Sequence, residues 1–162
     1  MVVIRCTQKL LRRLPGSDWE PSRRSSTVLG DWCGNLLFLG PRRILIFISQ
    51  HSRLPVLLPA RDLARLPAVF PLAVSDVLRG VGVPTPHITR ELEAMSEARF
   101  APTNSRSLLG SLNDFTLHIR WWFATRRERP LLEMALELSE TPVSPLRYEH
   151  PSAVTRHLFG GG

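Results

Sequence analysis

DWCGNLLFLGPRRILIFIS, residues 31–49, decides how this chain folds. Two apolar runs, Leu36 to Leu39 and Ile44 to Ile48, flank Gly40-Pro41-Arg42-Arg43. β-forming residues on both sides of a short Gly-Pro turn are the signature of a hairpin. A second turn at 50–53 leads into LPVLLPA, which extends the hairpin to a three-stranded antiparallel meander. The run from Ile44 to Ile48 is apolar at every position, so this strand should lie in the middle with both faces covered, or meet another copy. Pro55 and Pro59 cannot donate to a ladder and place the third strand toward an edge.

Outward from the hairpin, MVVIRC at the start reads as a strand, nearly continuous in β-branched residues. The short helix TQKLLRRL follows and ends before Pro15. Residues 15–30 combine Pro, Gly, Ser and two adjacent arginines and read as an exposed loop. Beyond the meander the period becomes helical. A turn is expected at 61–66. A helix over about 69–80 should have Pro71 in its first turn and end at Gly80-Val81-Gly82. A second helix should be capped by Thr85, with Ile88, Leu92 and Met95 on one side. Residues 98–101 suit a short extended piece. Leu108, Leu112, Phe115, Ile119 and Trp122 then form one stripe on a helix from Ser105 to about Thr125, capped by Asn104 or Ser105. Arg129-Pro130 interrupts the chain, and LLEMALELSE gives a last helix with Met134, Ala135 and Leu138 inward. The expected fold is α+β: an antiparallel sheet of about four strands, the N-terminal strand plus the meander, packed with four to five helices. It forms one domain over 1–158, with 159–162 a disordered glycine tail.

The chain has 162 residues, 43% hydrophobic and 22% charged, and so is long enough to bury roughly 70% of its unfolded surface without a metal or disulfide staple. No apolar run approaches the ~20 residues of a membrane span. The N-terminus lacks the long apolar region and small-residue cleavage site of a secretory signal. Two cysteines, Cys6 and Cys33, make no framework and no metal-binding pair. A reducing cytoplasm is the expected compartment. Net charge is +7 and the pI about 11.1, which invites a nucleic-acid reading. Of the 21 Lys and Arg only Lys9 is lysine, and such an imbalance also arises from a GC-rich genome.

TNSRSLLGSLNDF, residues 103–115, is dense in Asn, Ser and Arg. Arg106, Gly110 and Asn113 fall on one side of its helix, and Ser107, Ser111, Asp114 and His118 on a neighbouring strip. Gly110 costs about 1 kcal/mol against Ala in a helix, so a close approach is expected there, from a ligand or from the sheet. The alternative is a structural brace, with polar side chains tying loop carbonyls together. Ser111, Asp114 and His118 have the residue types of a nucleophile triad. However, all three lie on one helix surface, and no GxSxG elbow presents the serine.

Trp121, Trp122 and Phe123 are consecutive, with Arg120 before them and Arg126, Arg127 and Arg129 after. Three adjacent aromatics on a helix cannot all face inward. Rings beside arginines suit stacked bases and phosphates, and also suit a solvated helix end. His51, His87, His118, His150 and His157 make no HxH or HxxxH pair, so no metal site is expected. There is no phosphate-binding glycine loop and no paired catalytic acids, so no cofactor is expected and the enzyme reading has no motif.

VIRCTQKLLRRL, LGDWCGNLLFL, RRILIFIS, LPVLLPARDLARL, FAPTNSRSLLGSLNDF and SETPVSPLRY, in that order, resemble an uncharacterised bacterial domain family. Its pattern is NSRS(V/L)LGS(M/L)NDF preceded by a GDW(Y/C)xNL hairpin. The resemblance reaches about residue 158. Leu112 stands where that family more often has Met, and Cys33 where it often has Tyr. The positions matching the signature are Asp31, Trp32, Asn35, Asn104, Ser105, Arg106, Ser107, Gly110, Ser111, Asn113 and Asp114. The family implies no activity, cofactor or substrate.

Three functional readings follow. The first is a small intracellular binding module whose polar surface, Asp31, Trp32, Asn35, Asn104, Arg106, Ser107, Ser111, Asn113 and Asp114, meets a protein or small-molecule partner. The second is RNA or DNA binding through Arg120, Trp121, Trp122, Arg126, Arg127 and Arg129. The third is a hydrolase or transferase using Asp114 and His118, which requires both to face a concave pocket.

Overall fold

The computed structural model describes residues 1–14 and 23–161. Val2–Cys6 (β1) is followed by Gln8–Leu11 (α1). The hairpin is Trp32–Leu39 (β2) and Arg42–Ser49 (β3), and Pro55–Pro59 (β4) completes the meander. A tight 3₁₀ stretch, Ala60–Arg65, leads into Leu66–Gly80 (α2) and Thr85–Ala94 (α3). Ala98–Pro102 (β5) precedes the long Arg106–Ala124 (α4), then Leu131–Ser139 (α5) and Pro151–Leu158 (α6).

The five strands form one sheet in the order β4-β3-β2-β1-β5. The meander is antiparallel and in the expected register, with Leu36 opposite Leu45 and Ile46 opposite Leu57. β3 is a middle strand, and Ile44 to Ile48 are all buried. The expected four-stranded antiparallel sheet is corrected in two ways. There is a fifth strand, β5, and β1 runs parallel to both of its neighbours, so the sheet is mixed. The cause is the route of the chain. β1 reaches β2 through α1 and the residues after it, and β4 reaches β5 through α2 and α3; long crossovers of this kind deliver parallel strands.

One face of the sheet carries Trp32 and Phe47, which meet Phe70 of α2 edge-on at 5.2 and 5.0 Å. Such paired rings add about 0.5–1.5 kcal/mol beyond their buried area. Gly34 makes this packing fit, because a Cβ there would strike the Phe47 ring at 2.5 Å. Strand alternation sends Cys33 and Asn35 to the opposite face, against α4. The α4 stripe Leu108, Leu112, Phe115, Ile119 and Trp122 is buried throughout, and Ser105 caps the helix, its Oγ accepting Leu108 N at 3.1 Å.

Six α-helices are described, where four to five were expected. The addition is α6, which has no apolar stripe. Its Thr155 is fully buried and donates to Ser52 Oγ at 2.8 Å, and Ser52 in turn shares a hydrogen bond with Ser49. Phe159, assigned from sequence to the tail, is buried; Gly162 lies outside the described residues. α2 begins at Leu66, a turn before the expected start, with Pro67 in its first turn and Pro71 inside it. Pro84, not Thr85, precedes α3, and no side chain caps that helix. Residues 15–22 of the expected exposed loop lie outside the described residues. Thr27, Leu29 and Gly30 of the same loop are buried. No described helix is long and apolar enough to cross a membrane.

Candidate functional site

The polar positions singled out in the sequence divide into two groups. Asp31 is 6% exposed and faces inward. It accepts from Arg5 Nε at 2.9 Å and from the Ser25 N–H and hydroxyl at 2.9 and 2.8 Å. Arg5 also reaches the carbonyls of Arg23 and Pro102, so one ion pair ties β1, β5 and the loop before β2. Trp32 is core. Asn35 accepts from the Thr7 hydroxyl at 2.6 Å. Ser107 and Ser111 both accept from Arg53, at 2.9 and 3.2 Å, and Arg53 also donates to the Gln50 carbonyl. Arg53 is buried in the left-handed conformation, φ +59°, and burial lowers its pKa. These residues brace the fold.

Asn104, Arg106, Asn113 and Asp114 behave differently. All four are exposed, and among the described residues their side chains make no hydrogen bond or ion pair. Gly110, between them on the same face, has nothing within 4 Å of where its Cβ would be. The close approach expected at this glycine is therefore not made by the chain itself.

The triad reading fails on geometry. The Ser111 hydroxyl is committed to Arg53, and Asp114 makes no hydrogen bond or ion pair with His118, whose ring lies 4.6 Å from that of Trp122. Burial, with the neighbouring Cys33, raises the Cys6 pKa far above the usual thiol range, and burial pushes Cys33 up to about 12. Neither thiol is a nucleophile at neutral pH.

A second constellation occupies the other end of α4. The six cation–ring contacts among the described residues all gather there. Lys9, Arg13 and Arg43 lie 5.1 to 5.7 Å from the Phe38 ring centre, and Arg42 lies 5.2 Å from Phe123. Arg127 lies over Trp121 and Arg129 over Trp122. Arg129 also pairs with Glu137. Trp122 is buried, while Trp121 is 49% exposed and Phe38 36%. Arg120 donates to the Phe38 carbonyl at 3.0 Å and so fastens the helix to the hairpin.

Two clefts lie here and share Arg42. One, of about 680 Å³, is lined by the turn from Phe38 to Arg42 and by Arg120, Phe123, Ala124, Arg126 and Glu128. The other, of about 510 Å³, is lined by Arg42, Arg43, Pro59, Ala60, Arg61 and Leu131. Five arginines thus face a single carboxylate, Glu128. Burial, then the charges of Arg120 and Arg13, hold the Lys9 ammonium below the usual lysine range.

Arg126 follows the end of α4 at φ +56°, where the N–H of Arg127 closes the helix on the Trp122 carbonyl at 2.8 Å. Glycine is the residue that takes this position without strain. An arginine there gives up some stability and places its side chain in the cleft.

Arg120, Trp121, Arg126, Arg127 and Arg129 were legible as candidates in the sequence. Phe123 was noted there as one of three consecutive aromatics; Phe38, Arg42, Arg43 and Arg61 were not seen as candidates, because the hairpin and the 3₁₀ turn reach this place only in the fold. The signal available was a Gly-Pro turn followed by two arginines, with an outward-facing phenylalanine before it.

Taken together, these features define an α+β domain with an internally braced end and a basic, ring-lined end. Residues 3–154 match the family described as Domain of unknown function (DUF6933), and the chain belongs to that family. No curated protein and no solved structure matches the chain.

Proposed function

We propose that the protein is a bacterial cytoplasmic binding module that takes an anionic ligand on the basic face formed by the β2–β3 turn and the end of α4. The observation that carries this reading is the pair of clefts meeting at Arg42, with five arginines against one carboxylate. Closely grouped like charges repel one another, and this grouping is retained at the cost of that repulsion. A bound anion would relieve it. The two buried free thiols suit a reducing compartment.

Titration with inorganic polyphosphate over a range of salt concentrations tests the reading. Binding that weakens steeply with salt is expected, and Arg42→Gln and Arg61→Gln should each reduce it while melting like the parent. Absence of binding at low salt would overturn it.

A second reading is favoured by Gly110. Arg106, Asn113 and Asp114 surround it unbonded, and the open space above it admits a partner protein or small molecule close to the helix.

A further inference from the structure

We infer that the anionic ligand is a single-stranded nucleic acid, whose phosphates follow the arginines from Arg126 through Arg42 to Arg61 and whose bases lie against the exposed rings. This inference rests on the proposed anion-binding reading and adds a ligand class to it.

Three observations carry it. The first is shape. The two clefts are open and have Arg42 in common, so their arginines are spread over adjoining surfaces rather than gathered in one closed cup. Repeated cations spread in this way suit a polymer with regularly spaced phosphates better than one small anion. The second is the rings. Trp121 and Phe38 are exposed, Phe123 is half-buried, and each ring has an arginine over it. Inorganic polyphosphate has no group that uses an aromatic face, whereas every base does. Arg42, Arg43 and Arg127 lie over these rings, and stacking of this kind leaves the guanidinium N–H edges to phosphate oxygens.

The third is concavity. A duplex is read by an element that enters a groove. The Gly40-Pro41 turn and the end of α4 border a shallow, open depression that a strand with unpaired bases can follow. Gly40, at φ +63°, has nothing within 4 Å of its Cβ position, so no side chain screens the rim of the turn.

The test is fluorescence anisotropy of a labelled oligouridylate of about ten nucleotides, within the usual site sizes of single-strand binders. It is run beside inorganic polyphosphate, a duplex of the same length and anionic phosphatidylserine vesicles. If three to five arginines contact phosphate, the plot of log affinity against log salt should have a slope of about −2 to −3.5. Trp121→Ala and Phe38→Leu should weaken oligouridylate binding about tenfold or more and leave polyphosphate binding unchanged. Both positions are solvent-accessible, so both variants should fold, and their melting curves check this. Arg42→Gln should weaken both ligands.

Polyphosphate binding as tight as that of the oligonucleotide, with no effect of the ring variants, would overturn the nucleic-acid inference and leave the anion-binding reading standing. Preference for the duplex or for the vesicles would also overturn it. Failure to bind any of the four would overturn both.

Discussion

At the start of α4, Arg53 is buried and its guanidinium is used up on Gln50, Ser107 and Ser111. At the end of the same helix, Arg126 and Arg127 are exposed, and Arg127 and nearby Arg42 lie over aromatic rings. Arg5 and Asp31 extend the first pattern, and Arg42 and Arg43 the second. The contrast shows that arginine content alone says little about what the arginines do. The location of acceptors decides whether a guanidinium joins the scaffold or faces a ligand. A buried cation without an acceptor is too costly to keep, and an exposed one needs none.

Breaking the inward pattern should have the largest effect. Asp31→Ala leaves the buried Arg5 without its counter-charge and should cost about 3–5 kcal/mol in denaturant unfolding. Removing both charges, as Arg5→Met with Asp31→Leu, should recover much of that loss. Ser111→Ala removes one of the acceptors of Arg53 and should cost about 1.5–3 kcal/mol. Arg42→Gln, at the other end, should stay within about 0.5 kcal/mol of the parent.

A pH series extends the inward pattern to Glu91, which is 2% exposed and accepts the Val28 and Leu29 N–H groups at 2.8 and 3.0 Å. Burial is the larger influence and raises its pKa; those two bonds and His51 oppose it. The folded state therefore holds the proton more tightly than the unfolded chain. The stability Glu91 contributes is fully present below its unfolded pKa and is lost as pH rises through the folded value. Glu91→Gln does not titrate, so raising the pH from about 4 to 7 should move the stability difference against the parent. A flat difference would mean that the two backbone donors fully offset the burial.

The smallest effects belong to the exposed face of α4. Gly110→Ala meets nothing and should stabilise the helix by about 0.5–1 kcal/mol, raising the melting temperature by a few degrees. Asn104→Ala, Arg106→Ala and Asn113→Ala should each stay within about 0.5 kcal/mol of the parent. An early melt in any of these three would place it with Ser111 as a brace.

The meander was legible because its signals are local: two apolar runs, a Gly-Pro turn, and prolines at an edge strand. The α4 stripe was legible for the same reason, since five apolar residues repeat at helical spacing. β5 was seen only as an extended piece, because ARFAP carries no alternation that names a partner, and its parallel pairing with β1 is a product of the crossover. α6 was missed because it is held by a buried hydroxyl, Thr155 on Ser52, and a hydrophobic pattern contains no trace of such a bond. The candidate polar set was found as a block, but which members face inward was not. Ser107 and Ser111 share a helix with Arg106 and Asn113 and differ from them only in angle around it, and the partner that separates them, Arg53, comes from a distant turn.

The parallel pairing of β1 with β5 has a consequence for how the protein is made. Val2 lies opposite Ala98, so a growing chain completes the first four strands long before the fifth exists. Between the synthesis of Pro59 and Pro102, about 2–9 s at ordinary elongation rates, the apolar strand VVIRC has one unpaired edge. An open edge of this kind is a template for another strand, including the same strand on a neighbouring nascent chain. Self-association is therefore most dangerous to this protein on the ribosome, in the interval when α2 and α3 are being made and β5 has not yet closed the sheet.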